Sequence, residues 1–455
     1  MKKLTKIIAA LLCLVLILSL FSGCKEDRST VLRIYNWEDY IDPDLLDEFV
    51  DYYYDKYGVT LTISYETFDT NETMYTKIEK AHEDYDICAP SEYMIEKMKN
   101  QGLIQKMDET IVGSVYNQNV PEYIRKQFAI VTGNTDTDIY AVGYMWGTLG
   151  IIYNKDAVPL EELEEKGWAI LWDEKYAGKI FMKDSIRDSY AVGNLYVFRD
   201  TYFDLRDKYD AGELSLEEYQ SQILELFNRT DEETVALIEE ALISQKDTVD
   251  AMYDVDNDKN AMVNGTAYLD VAWSGDARWA IMESIEADNG VNLGYYIPRE
   301  GTNVWFDGWV IPKYAKNVLA ANEFAAFLMR PENAIRIMDY IGYPSCVGGE
   351  EVYEYAKEQA FEDDTEELDV SYFFEGAEPA IVTDTMYPDL SQIISAAAMQ
   401  DFGSSNDIIN DMWARVKGNT LTPMIIIVDS LVGIGLLYLV VRKIVLAVKK
   451  KSKKA

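Results

Sequence analysis

Among the places where the chain sets an aromatic ring close to a carboxylate, three have a spacing that could serve a site. Trp305-Phe306-Asp307 puts a ring and an acid two residues apart, on one side of an extended segment. Trp273 and Asp276 would share a face of a turn or helix start. Glu38 lies beside Trp37 and close to Tyr40. Pairs of this kind suit an organic cation, because ring faces both pack on methylenes and attract the charge. A buried ammonium without a paired anion is prohibitively costly, so a site for two ammonium groups needs at least two converging acids. Taken singly, these residues have plainer explanations. With 33 tyrosines and nine tryptophans in the chain, Tyr40, Tyr93 or Tyr343 alone reads as a core or surface ring. With 79 acids, a lone Asp188 or Asp276 reads as a solvated charge or a helix-start residue, and Gln400 as an exposed amide. His82 is the only histidine, which argues against His-based nucleophilic catalysis and against most zinc or copper sites.

The elements that must hold these residues follow from hydrophobic spacing. Val31–Tyr35, Val59–Ser64 and Asp86–Ala89 read as short strands, and Pro43–Tyr54 and Asn71–Ala81 as helices. Strands and helices alternating at this interval imply βαβ units around a parallel sheet, an α/β fold in which ligands sit beyond the carboxyl ends of strands. Trp37 and Tyr40 follow the first strand; Ser91 and Tyr93 follow the third. The chain is too long for one compact core, so two lobes are expected. Residues 204–246 are acidic and helical in pattern, with a helix start at Ser215, and are expected to form a solvated insertion without chemistry of its own.

The two ends carry targeting signals. Lys2, Lys3 and Lys6, an apolar run over 7–21, and Ser22-Gly23 before Cys24 form an export signal of 1–23. Small residues ahead of that cysteine resemble the bacterial lipobox, which makes Cys24 the expected lipidation site and 24–30 a linker. Residues 423–441 are apolar apart from Asp429 and precede a basic tail, 442–455, the pattern of a transmembrane helix with its C-terminus in the cytoplasm. Asp429 either meets a partner helix or lies high enough in the leaflet to reach water. Both ends would hold the intervening domain at the outer face of the cytoplasmic membrane. The chain carries −37 overall, and without its basic ends residues 24–422 carry about −46, a field that repels nucleic acid and anionic lipid and attracts cations. Cys88 and Cys346 remain as two thiols whose pairing spacing does not establish.

Several strings occur in an order that is specific as a set. They are Tyr35-Asn36-Trp37-Glu38-Asp39-Tyr40, Asn71-Glu72-Thr73-Met74-Tyr75, Tyr85-Asp86-Ile87-Cys88-Ala89-Pro90-Ser91-Glu92-Tyr93, Gly102-Leu103-Ile104-Gln105-Lys106-Met107-Asp108, Tyr144-Met145-Trp146-Gly147-Thr148, Asp184-Ser185-Ile186-Arg187-Asp188, Ala272-Trp273-Ser274-Gly275-Asp276, Trp305-Phe306-Asp307 and Ile341-Gly342-Tyr343-Pro344. In this respect the chain resembles the spermidine/putrescine-binding proteins of bacterial ABC importers over roughly residues 31–417. The resemblance implies a two-lobed, periplasmic-binding-protein-like α/β fold (type II), with lobe 1 at 31–138 plus about 307–345 and lobe 2 at 139–306 plus about 346–419. It implies a polyamine in the cleft, permease and ATPase subunits as partners, and no cofactor, metal or catalytic activity. By position the family's aromatic wall falls on Trp37, Tyr40, Tyr93, Trp273, Trp305 and Tyr343, and its ammonium-binding acids on Asp188 and Asp307. Ser91 and Gln400 are implied as polar contacts. A position that is acidic in some members is Ser185 here, while Asp276 matches an acid of putrescine-preferring members and Glu38 adds a carboxylate.

Rival readings stay open at this point. A binding protein for ferric iron, a sugar or thiamine shares the class, although iron sites of this fold want clustered tyrosines. An extracellular hydrolase with paired carboxylates and a membrane-tethered sensor are the rivals from other classes. The preference between spermidine and putrescine is likewise open.

Overall fold

In the computed structural model, residues 27–254, 257–362 and 364–418 are described. The signal, Cys24, the apolar span 423–441 and the basic tail lie outside them. Among the described residues no helix is long and apolar enough to cross a membrane. The strands are β1 (Val31–Trp37), β2 (Thr62–Phe68), β3 (Ile87–Cys88), β4 (Ile104–Gln105), β5 (Ala141–Asn154), β6 (Ile180–Lys183), β7 (Met252–Asp254), β8 (Leu269–Trp273), β9 (Leu293–Tyr296), β10 (Thr302–Pro312) and β11 (Ala396–Ala397). The chain divides into two compact units. Among the described residues, the first takes 27–145, Asp307–Ile341 and Ser345–Val352, and the second takes Trp146–Phe306, Gly342–Pro344 and 353–418. The chain changes unit within β5 and within β10, so Trp305 and Asp307, two residues apart, belong to different units.

In the first unit β1 is flanked by parallel strands, β2 in register from Val31↔Thr62 to Trp37↔Phe68 and β3 through Ile34↔Ile87. Its near-continuous burial is what a parallel strand covered on both faces shows. Beyond β3 the sheet continues antiparallel through β10 at Val310↔Cys88 to β4. The second strand starts three residues later than its apolar content suggests. Gly58, left-handed at φ 68, ends the helix Asp44–Tyr57, and β2 is a largely solvated edge strand that takes its register from β1. Cys88 and Cys346 are both free thiols, buried.

In the second unit β5 pairs antiparallel with β8, from Leu149↔Trp273 to Tyr153↔Leu269, and with β9. β6 runs parallel to both β8 and β7. The helices Ile186–Val197 and Ser274–Ala287 begin just beyond the carboxyl ends of β6 and β8, where such sheets present ligand-binding groups. Residues 204–246 are more than the solvated insertion their charge suggested. They lie in three helices, Arg199–Asp210, Leu216–Phe227 and Glu232–Val249, with Tyr202, Tyr219, Ile223, Val235, Ile238 and Leu242 buried. Ile238 and Leu242 pack where Gly193 has no side chain, and Gln245 donates 3.0 Å to the Leu171 carbonyl. The acids occupy only the outer faces, so composition hid an amphipathic layer of the core.

Candidate functional site

In the first unit the candidate residues form one hydrogen-bonded group around Asp307. This carboxylate is only 6% exposed. Its Oδ1 accepts from the Ser91 hydroxyl at 2.7 Å and its Oδ2 from the Tyr40 hydroxyl at 2.8 Å. Burial pushes its pKa up to about 6, against the two hydrogen bonds, which favour the charged form. Ser91 begins the helix Glu92–Asn100, yet its hydroxyl turns to Asp307 and makes no cap hydrogen bond. Asn71 fixes that turn: its Oδ1 accepts from the Ser91 amide at 3.1 Å, and its Nδ2 donates to the Ser91 hydroxyl at 3.1 Å and the Tyr93 hydroxyl at 2.9 Å. Trp37, at the end of β1, donates through Nε1 to the Ala89 carbonyl at 2.8 Å and packs on Phe68. Tyr40 stands edge-on to Tyr144, whose hydroxyl donates to the Tyr40 carbonyl. Left-handed Asp39, at φ 50, lets the chain turn between Trp37 and Tyr40.

The second unit gathers the other group. Asp188 is 6% exposed, in the first turn of helix Ile186–Val197, which Ser185 caps by accepting from the Asp188 amide. Ser185 therefore serves the helix. The Trp273 Nε1 donates to the Asp188 carboxylate at 3.4 Å. Burial raises the Asp188 pKa, while the Ser185 hydrogen bond and the charge of Lys183 oppose the shift. Trp305 and Tyr343 meet edge to face at 5.3 Å. Two glycines make room for them. A Cβ at Gly147 would lie 2.5 Å from Trp305 Cζ2, and one at Gly275 would lie 2.4 Å from the Tyr343 ring. Gln400 is anchored through its backbone, its amide donating to Asn228 at 2.8 Å and its carbonyl accepting from Arg187 at 3.0 Å.

Two acids singled out in the sequence stand apart from these groups. Asp276 is paired with Lys259 at 3.0 Å and with Lys183 at 3.5 Å, so its charge is already matched within the protein. Glu38 is exposed. Sequence reasoning missed four positions that shape the groups: Asn71, Gly147, Lys183 and Gly275. Asn71, Gly147 and Gly275 lie inside the strings that set the resemblance; Lys183 precedes one by a single residue and carries no signal of its own. Each unit thus offers a buried carboxylate that accepts hydrogen bonds from neutral donors, beside tryptophan and tyrosine rings; the charges of Lys183 and Arg187 also act on Asp188. A carboxylate beside ring faces has the chemistry to accept an alkylammonium group, and among the described residues there is no cluster of metal ligands.

Comparison with known proteins agrees with this chemistry. The chain is 27% identical over 399 residues to the spermidine/putrescine-binding periplasmic protein of Escherichia coli, covering 87% of this chain and 94% of that protein. It is 26% identical over 333 residues to the putrescine-binding periplasmic protein PotF of the same organism, covering 71% of this chain and 80% of that one. The structure is similar to the crystal structure of the spermidine/putrescine ABC transporter substrate-binding protein PotD of Streptococcus pneumoniae, with a TM-score of 0.60 and 28% identity over 86% of this chain and 99% of that one. The sequence profile of the bacterial extracellular solute-binding proteins matches residues 48–363, and the chain belongs to that family.

Proposed function

We propose that this chain is an extracytoplasmic substrate-binding protein that captures a polyamine of the spermidine or putrescine class and delivers it to the permease and ATPase subunits of an ABC importer. The observation that carries the reading is Asp307, a buried carboxylate with two hydroxyl donors and, among the described residues, no cation paired with it. A buried charge left in that state is costly, and a ligand ammonium would complete it. Asp188 offers the second acid. Trp37, Tyr40, Tyr93, Trp273, Trp305 and Tyr343 supply ring surface for the methylenes, and Ser91 and Gln400 polar contacts. The similarity to polyamine-binding relatives supports the same assignment.

Thermal unfolding and calorimetric titration with spermidine, putrescine and cadaverine test the proposal. Ligand at one hundred times Kd should add about 2.7 kcal/mol to unfolding stability. No change in melting temperature with any of the three amines would refute it. The ends support a tether at the outer face of the cytoplasmic membrane, through a lipid on Cys24 and the apolar span 423–441. Deleting 423–455 should leave the protein membrane-bound, and adding Cys24→Ser should release it; release by the deletion alone would remove Cys24 from the proposal.

A further inference from the structure

In the first unit two residues of the helix-capping type bond to each other rather than to their own helices. Asn71, the first residue of the helix Asn71–Glu79, is only 4% exposed, and that helix is capped by Thr70, which accepts from the Thr73 amide at 3.2 Å. Ser91 stands at the N-cap of Glu92–Asn100 and makes no cap hydrogen bond. The Ser91 amide can only donate, so the Asn71 atom 3.1 Å from it is the side-chain oxygen. The Asn71 amino group is thereby aimed at the Ser91 hydroxyl, 3.1 Å away, and at the Tyr93 hydroxyl, 2.9 Å away. Each hydroxyl accepts one hydrogen from it and keeps its own for another acceptor. For Ser91 that acceptor is Asp307 Oδ1 at 2.7 Å, and for Tyr93 it is Glu72 Oε1 at 3.5 Å. The backbone holds the ends of this series of bonds together, since Ser91 and Asp307 form an antiparallel bridge.

We propose that Asn71 is a positioning residue for the ligand site: it keeps Ser91 from capping its own helix and directs the Ser91 hydroxyl hydrogen to Asp307, so that the acid holds a donor for its anionic form. The inference rests on the polyamine reading and adds to it a residue that no ligand need touch. Helix starts leave amide groups without partners, and a serine at the N-cap ordinarily accepts from one of them. The Ser91 hydroxyl therefore has two competing uses, and the Asn71 amino group favours the one towards Asp307 by occupying an acceptor position of the oxygen. Asn71, Ser91, Tyr93 and Asp307 all belong to the first unit, so the series of bonds is complete within it. The Ser91 donor favours the charged carboxylate against burial, which pushes the Asp307 pKa up to about 6. The other titratable groups acting on Asp307 are Tyr40, whose hydroxyl donates to it, and the Tyr144 hydroxyl and Cys346 thiol, both pushed up by burial and therefore neutral between pH 5 and 8. Glu72 faces Tyr93. Asp188 titrates in its own second-unit surroundings and adds the same background to every variant of the first unit.

Calorimetric titration of the full-length chain with putrescine and spermidine at pH 6 and pH 8 tests the inference through the ratio of the two Kd values, from which any uniform loss of affinity cancels. Titration of Asp307 at about 6 contributes a factor of about two to the parent ratio. Ser91→Ala removes the donor, and a rise of about one unit in the Asp307 pKa takes that factor to about eleven. Asn71→Ala should raise the ratio in the same direction, about threefold or more over the parent, because the freed Ser91 hydroxyl turns to its helix. In the Ser91→Ala background Asn71→Ala should leave the ratio unchanged, since no hydroxyl remains to direct. Should Asn71→Ala fail to fold, Asn71→Ser, whose polar side chain is too short to reach both hydroxyls, is read in the same way. An equal rise in both backgrounds, or an unchanged ratio in either single variant, overturns the inference and leaves the polyamine reading standing. So does loss of all binding in the Asn71 variant while Ser91→Ala still binds. Absence of binding of both amines by the parent at pH 8 overturns the two together.

Discussion

Replacing Asp307 by Asn removes one charge and keeps the shape of the side chain, and the structure says what that should do in three separate readouts. Deleting one partner of a desolvated charge pair typically costs about 2–5 kcal/mol, so the polyamine Kd should rise roughly thirtyfold to several-thousandfold at pH 8. The second readout is pH. The ligand-free carboxyl titrates at about 6, and only its ionised form suits an ammonium. The parent Kd should then be flat above pH 7, about doubled at pH 6 and about elevenfold higher at pH 5. Asp188, also raised by burial, adds to the loss in the same direction, so Asp307→Asn should flatten the profile without abolishing it. The third readout is stability without ligand. Because the folded pKa of about 6 exceeds the ordinary 3.8, Asp307 contributes stability below pH 4 that is lost as pH rises through 6. A shift of this size corresponds to about 3 kcal/mol at neutral pH. Asn avoids that penalty but serves only one of the two hydroxyls as an acceptor, a loss of about 1 kcal/mol. The ligand-free variant should therefore be about as stable as the parent or up to ~2 kcal/mol more stable at pH 7.5, with no gain at pH 4. Isothermal titration across pH 5–8 and denaturant unfolding at both pH values measure all three. A variant that binds within a few-fold of the parent at pH 8, or a parent profile flat to pH 5, would refute the role given to Asp307.

Gly147→Ala drives a methyl into the Trp305 ring, 2.5 Å away. Overpacking of this kind costs about 1–3 kcal/mol, and displacing the ring should weaken ligand binding as well, which paired unfolding and titration would show. Trp273→Phe retains a ring but removes the Nε1 donor to Asp188. Polyamine affinity should fall by about 1–2 kcal/mol, roughly five- to thirtyfold, and an unchanged Kd would mean that this hydrogen bond does not orient the acid. Ser215→Ala breaks a complete capping box with Glu218 in the helical region 204–246. It should lower unfolding stability by about 1 kcal/mol and leave the Kd unchanged, which separates that region's structural part from binding.

The acids and rings of the two groups were legible in the amino-acid string because the family's motifs keep them in order, and short-range chemistry was legible too. The Ser215–Glu218 capping box needs only a spacing of three residues, and β1 announces itself as an apolar run. Partner choice over long separations was not. Ser91 is implied only as a polar contact, and nothing in the string shows that its hydroxyl serves Asp307, 216 residues away in the chain. Asp276 reads as a ligand acid, yet Lys183 and Lys259 hold it. The acidic stretch 204–246 reads as solvated, yet its apolar faces complete the core of the second unit. A motif determines which side chains are present and what each could bond. Burial determines which bonds form, because a buried carboxylate must take whichever donor or cation the folded chain brings within about 3 Å, and that choice depends on residues far away in sequence.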